Sequence, residues 1–231
     1  MLLYSEVLYQ IYNYSGDFFN FLIFLLGIYA AINHKFFKME YRLILYLIFG
    51  FVIFEFSNYY FIKFGVNNTL FINHPYALFF LIFSGIFYQK IIDTKPISIL
   101  IFSTFLIYLA FNLYQVIYLS GFTESPKAFP LINFLFLILS IIIFRKMNSS
   151  PKIKQIHSEP LFWFNLGFMI VSLFQIILQP IFAAVTPISD DLAFIVGTIK
   201  NLAYPIMYVI WAIGIYKLTK TPFRPVASLW P

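Results

Sequence analysis

Glu55 and Lys200 are ionisable residues set inside stretches otherwise long and apolar enough to cross a bilayer, Tyr41 to Ile62 and Leu192 to Tyr216. At 1.5 Å per residue each lies about 12 Å from the same predicted end of its helix, so the two share a depth. An ionisable group at that depth costs a few kcal/mol, and it ordinarily faces the bundle interior, pairs with an opposite charge or lines a wet cavity. Amides gather in the same half: Asn20, Asn58, Asn112, Gln115, Asn133, Gln175, Gln179 and Asn201, with Asn165 the main exception. Glu55 with Asn58, and Asn112 with Gln115, are spaced i, i+3, and Gln175 with Gln179 i, i+4, so each pair shares a helical face. Three kinds of chemistry fit this set. One is a Glu55–Lys200 ion pair with amides holding helices together; another is a polar ligand pocket lined by the same side chains. A third is a Schiff-base lysine with Glu55 as its counter-ion.

Other chemistries find little support. With no cysteine there is no disulfide, thiol nucleophile or thiolate metal site. His34, His74 and His157 fall in separate places, without the convergence a metal centre needs. Ser84-Gly85 is only a fragment of a serine-protease motif and suits close helix packing equally. Glu55 as the acid or base of a lipid-modifying enzyme lacks a second carboxylate at its depth. No catalytic residue, metal or cofactor is therefore assigned, and the chain is read as non-enzymatic.

The elements that position these residues follow from composition. Hydrophobic residues make up 61% of the chain and charged residues 10%, far below the roughly one quarter of a soluble domain. Windows of about 20 apolar residues predict an all-α integral membrane bundle of seven transmembrane helices, at about 14–34, 41–63, 72–91, 96–120, 128–146, 160–185 and 191–217. Pro75, Pro96, Pro130 and Pro160 sit near helix starts, where the missing amide costs nothing. Pro180 and Pro205 lie inside helices and predict kinks. No separate soluble domain is expected, since the Lys146 to Glu159 loop and the tail at 218–231 are short. Leu3, Val7, Leu8 and Ile11 suggest an interfacial turn or an extended first helix.

Basic residues set the expected orientation. Lys35, Lys38 and Arg42, Lys90 and Lys95, Arg145, Lys146, Lys152 and Lys154, and Lys217, Lys220 and Arg224 fall in alternate loops and the tail. The opposite side carries Glu6, Asp17, Lys63, Glu124, Lys127, Asp190 and Asp191. Loops rich in lysine and arginine stay in the cytoplasm, which puts the N-terminus outside and the C-terminus inside a bacterial inner membrane. The net charge of +6 is thus a topological signal, and nucleic-acid binding is not expected.

The segments "FEFSNYYF", "FWFNLGFMI" and "NLAYPIMYVIWAIGIYK" resemble those of small seven-helix membrane proteins of the Bacteroidota, whose genes often neighbour sensor histidine kinases. The resemblance singles out Glu55, Phe162, Trp163 and Asn165; Lys200 lies outside the pattern. It implies a sensory or partner role, with a sensor kinase or another membrane protein as partner. Together these readings favour a receptor-like or signalling-partner module with a pocket in the outer half, open to a small periplasmic ligand and surrounded by membrane lipids. The alternatives are a small-solute transporter or oligomeric channel, and a membrane-embedded lipid enzyme.

Overall fold

The computed structural model describes residues 2–38, 40–65, 69–151, 153 and 155–221, without the side chains of 2–6, 8, 9, 12, 13 and 15. Lys152, Lys154, Arg224 and the tail beyond 221, with the side chains of Leu3, Glu6 and Leu8, lie outside that description. Eight α-helices follow in order: α1 (Leu2–Ile32), α2 (Tyr41–Lys63), α3 (Asn73–Ile92), α4 (Lys95–Tyr114), α5 (Phe129–Ser149), α6 (Pro160–Val185), α7 (Asp190–Asn201) and α8 (Ala203–Lys220). A π-helical turn, Gln115–Leu119, continues α4, and single 3-10 turns precede α2, α3 and α6.

Among the described residues six segments are long and apolar enough to cross a membrane, α7 and α8 counting as one, and Gly16–Ile32 adds a shorter apolar stretch. The chain is a multi-pass helical membrane protein. In such a solvent each backbone amide must find its partner within its own helix, so the apolar runs fold as helices and the polar loops divide them.

Two boundaries differ from expectation. Helix α1 begins at Leu2 instead of near residue 14, because the N-terminal residues continue the helix. The seventh span is divided at Leu202. Pro205 has no amide to offer the carbonyl of Asn201, so the regular ladder is interrupted one turn before it. Pro180, by contrast, lies within a helix assigned without interruption from Pro160 to Val185.

Hydrogen bonds show which helix ends are neighbours. Lys146 Nζ, near the end of α5, donates to Ile92 O at the end of α3 (3.1 Å). Asn73, at the start of α3, donates to Ser125 in the α4–α5 loop (2.9 Å). The molecule thus has one end carrying most of the lysines and arginines, called here the basic end, and an opposite, lysine-poor end.

Burial is distributed unevenly between them. Helix α2 buries seven residues from Tyr41 to Phe51 and none from Val52 to Lys63. Helix α6 buries nine from Pro160 to Gln175 and none from Ile176 to Val185. Both pack tightly at the basic end and release from the core past mid-length. Helix α4 does the reverse, burying Thr104, Tyr108 and Asn112, with Gln115 beyond them. Between these helices the centre is filled by rings: Phe80, Tyr88, Phe136 and Phe168 meet one another, and Trp211 stacks on Phe51 and meets Phe168 edge-on. Offset and edge-to-face ring contacts of this kind hold helices together by packing, which remains available where water exclusion does not.

Candidate functional site

The joint between α7 and α8 organises the lysine-poor half. Ser189 caps α7 by accepting from the amide of Leu192 (3.4 Å), and Asp190 and Asp191 follow in the first turn, where negative charge favours a helix start. Eleven residues into that helix, Lys200 turns its ammonium toward α6. Its Nζ donates to Gln179 Oε1 at 3.0 Å and lies 4.3 Å from the centre of the Phe182 ring. These partners flank Pro180. An amide oxygen, an aromatic face and the carbonyl end of its own helix thus answer the charge together.

Glu55 is not among its partners. The carboxylate is half-buried on α2, within electrostatic reach of the hydroxyls of Tyr76 on α3 and Tyr204 and Tyr208 on α8. Tyr76 and Tyr204 are themselves hydrogen-bond partners. Depth brought Glu55 and Lys200 to one level, but helix rotation points them to different neighbours, and the ion pair read from sequence is not formed. Tyr204 and Tyr208 are one helical turn apart just beyond the break at Leu202, so Glu55 addresses one side of the joint and Gln179 the other.

The remaining predicted residues divide further. Asn112 and Gln115 hold a loop. The buried His74 ring bridges Asn112 Oδ1 (Nδ1, 2.7 Å) and the carbonyl of Glu124 (Nε2, 2.9 Å). Gln115 opens the π-helical turn and makes three bonds: Nε2 donates to Ser125 O (3.0 Å) and Ser120 Oγ (3.2 Å), and Oε1 accepts from the amide of Lys127 (2.8 Å). The extra residue of such a turn re-aims a side chain, and here it aims Gln115 at residues 120–127. At the loop surface Lys127 and Glu124 form an ion pair (2.8 Å), and the hydrogen bond from Lys127 holds the Glu124 carboxyl below the usual carboxylate range. Gln175 is buried on α6, while Asn58 and Asn201 are half-buried. The candidate residues therefore occupy distinct places: Lys200 with Gln179, Glu55 with three tyrosines, and Asn112 with Gln115 around the loop.

At the basic end the structure shows a polar node that reading the charged and amide residues missed. Tyr88 on α3 donates to Asn165 Oδ1 on α6 (3.0 Å) and shares a 2.7 Å bond with Ser140 Oγ on α5, while Asn165 Nδ2 donates to Ser140 O (3.0 Å). Beside it Trp211 Nε1 donates to Phe164 O (3.1 Å), its indole lying where a side chain on Gly167 would have to be. Trp163 Nε1 donates to His157 O (2.8 Å). The "FWFNLG" segment was the available signal: each of Trp163, Phe164, Asn165 and Gly167 has a place in joining α6 to its neighbours.

Among the described residues no group of three or more His, Cys, Asp or Glu is placed to hold a metal ion. Comparison with family models, with curated proteins and with solved structures finds no match. What fold and site define is a class: a multi-pass helical bundle with a fixed polar node at one end and a jointed span at the other.

Proposed function

We propose that the chain is a non-enzymatic, receptor-like membrane module of the bacterial inner membrane, with its N-terminus and lysine-poor end outside and its C-terminus inside. A small ligand met at the lysine-poor half would change the angle of α7 on α8, and α8 would carry that change to a partner, such as a sensor kinase, at the basic end. The observation that carries this reading is the joint itself. Its two sides hold separate polar contacts, Lys200 with Gln179 before Leu202 and Tyr204 and Tyr208 with Glu55 after it. A helix with two rigid pieces and a defined joint is an element that ligands can bias. A transporter would need a polar path continuing past the midplane. The ring packing of Phe80, Phe136, Phe168 and Trp211 gives no support to one within a single copy.

The absence of native cysteine makes the test direct. Spin labels at Ile195→Cys on α7 and Leu131→Cys on α5 should give a broad or two-component distance distribution that shifts on Lys200→Met. Labels at Tyr216→Cys on α8 and Ile141→Cys on α5 should give a single distance unaffected by that change. One narrow α7 distance, indifferent to Lys200→Met, would make the joint a static feature and remove the receptor reading. Orientation is checked separately with terminal tags and an impermeant label: the N-terminal tag should react from outside and the C-terminal tag only after lysis. Both tags on one face would overturn it.

A further inference from the structure

Between the end of α1 and the start of α2 lies a cavity of about 550 Å³ lined by His34, Lys35, Phe37, Lys38, Arg42, Leu45 and Tyr46. Its composition is two-sided. Phe37 and Leu45 are buried and form an apolar floor, while His34, Lys35, Lys38 and Arg42 are exposed at the rim. His34 is fixed there by a 2.9 Å bond between its Nδ1 and the carbonyl of Ala31, and Lys35 lies over the Phe36 ring at 5.3 Å. Arg42, Leu45 and Tyr46 are spaced i, i+3, i+4 and share one face of α2, so the basic rim passes directly into an apolar strip along the span. Arg42 is the second residue of a 23-residue helix, which places it at headgroup level when that helix crosses a bilayer. Glu40, the nearest acid in sequence, is buried and does not line the cavity.

We infer that this cavity binds the phosphate of an anionic membrane lipid, with Lys35, Lys38 and Arg42 holding the headgroup and an acyl chain running along Leu45 and Tyr46. Three fixed positive charges around one opening call for an anion, and juxtamembrane basic clusters attract anionic headgroups. The adjoining apolar strip on a membrane-crossing helix favours a lipid phosphate over a free one. The planar guanidinium of Arg42 can grip two phosphate oxygens at once, which a lysine cannot. This site is independent of the joint at Leu202 and would stand if the receptor reading failed.

The full chain, purified in a neutral detergent, should retain phosphatidylglycerol in preference to phosphatidylcholine by native mass spectrometry. Combining Lys35→Gln, Lys38→Gln and Arg42→Gln should weaken that retention by about fivefold per charge removed. Removing three charges elsewhere at the basic end, by Arg145→Gln, Lys217→Gln and Lys220→Gln, should leave it unchanged. Arg42→Gln alone, on an exposed side chain, provides the same reading if the triple variant does not purify. Equal retention of the two lipids, or equal loss in both triple variants, would overturn the site. Displacement of phosphatidylglycerol by millimolar inorganic phosphate would overturn the lipid as its occupant.

Discussion

The node of Tyr88, Ser140 and Asn165 and the contact of Lys200 with Gln179 solve the same problem in opposite ways. Both place polar side chains where lipid offers no hydrogen bonds. At the node the groups are short or rigid, buried, drawn from three helices and bonded to one another within 3.0 Å. At the joint a long, flexible lysine reaches a long, flexible glutamine between helices that have already left the core. A closed network of short side chains permits one arrangement of its helices. A bridge between long side chains can be remade over a range of helix angles, so the first kind fixes geometry and the second tolerates change.

The largest effect expected from that contrast lies within α6 alone. Phe168→Ala, in the buried half, should destabilise the protein by about 3 to 5 kcal/mol, and Ile177→Ala, in the released half, should stay within about 0.5 kcal/mol. Reversible unfolding in mixed micelles measures both. Comparable losses would mean that the two halves of α6 pack alike, and the contrast would fail.

A smaller effect belongs to the bridge. A double-mutant cycle of Lys200→Met and Gln179→Leu should give a coupling of about 0.5 to 1.5 kcal/mol, the range of interhelical hydrogen bonds in membranes. The same cycle with Glu55→Gln in place of Gln179→Leu should be additive. A strong Glu55–Lys200 coupling with none at Gln179 would reassign the lysine to the carboxylate.

The slightest effect is at the loop surface. Lys127→Gln should raise the Glu124 pKa toward the usual carboxylate range, as read by carbon-detected NMR titration. Because the folded-state value is depressed, the pair's contribution to loop order is complete above the ordinary carboxylate pKa and fades as pH falls through the lowered one. An unchanged titration would show that Lys127 does not hold the carboxyl in solution.

What the sequence made legible was distance along each helix. Runs of apolar residues marked the spans, and Pro205 marked the joint, because rise per residue and the missing amide are properties of the local chain. Rotation about the helix axis was not legible, since it depends on which neighbour each face meets. That is why Glu55 and Lys200 could be assigned one depth yet turn to different partners. It is also why Asn112 and Gln115, correctly paired on one face, proved to serve residues 120–127. Tyr88 and Ser140 escaped notice for a different reason: a lone hydroxyl among apolar residues carries no charge pattern, and only the three-dimensional meeting with Asn165 gives it meaning.

The joint also bears on how the chain fits its bilayer. The segment Asp190–Lys220 has 31 residues, about 46 Å of helix against a hydrocarbon core of roughly 30 Å. A straight rod of that length must tilt as a whole or force the lipids to thicken. Divided at Leu202, the excess falls to α7, which can lean while α8, about 27 Å long, keeps its seat beside Trp211 and Phe164. Hydrophobic mismatch is therefore absorbed at the hinge, and a change in acyl-chain length would first be felt as tension on the bridge between Lys200 and Gln179.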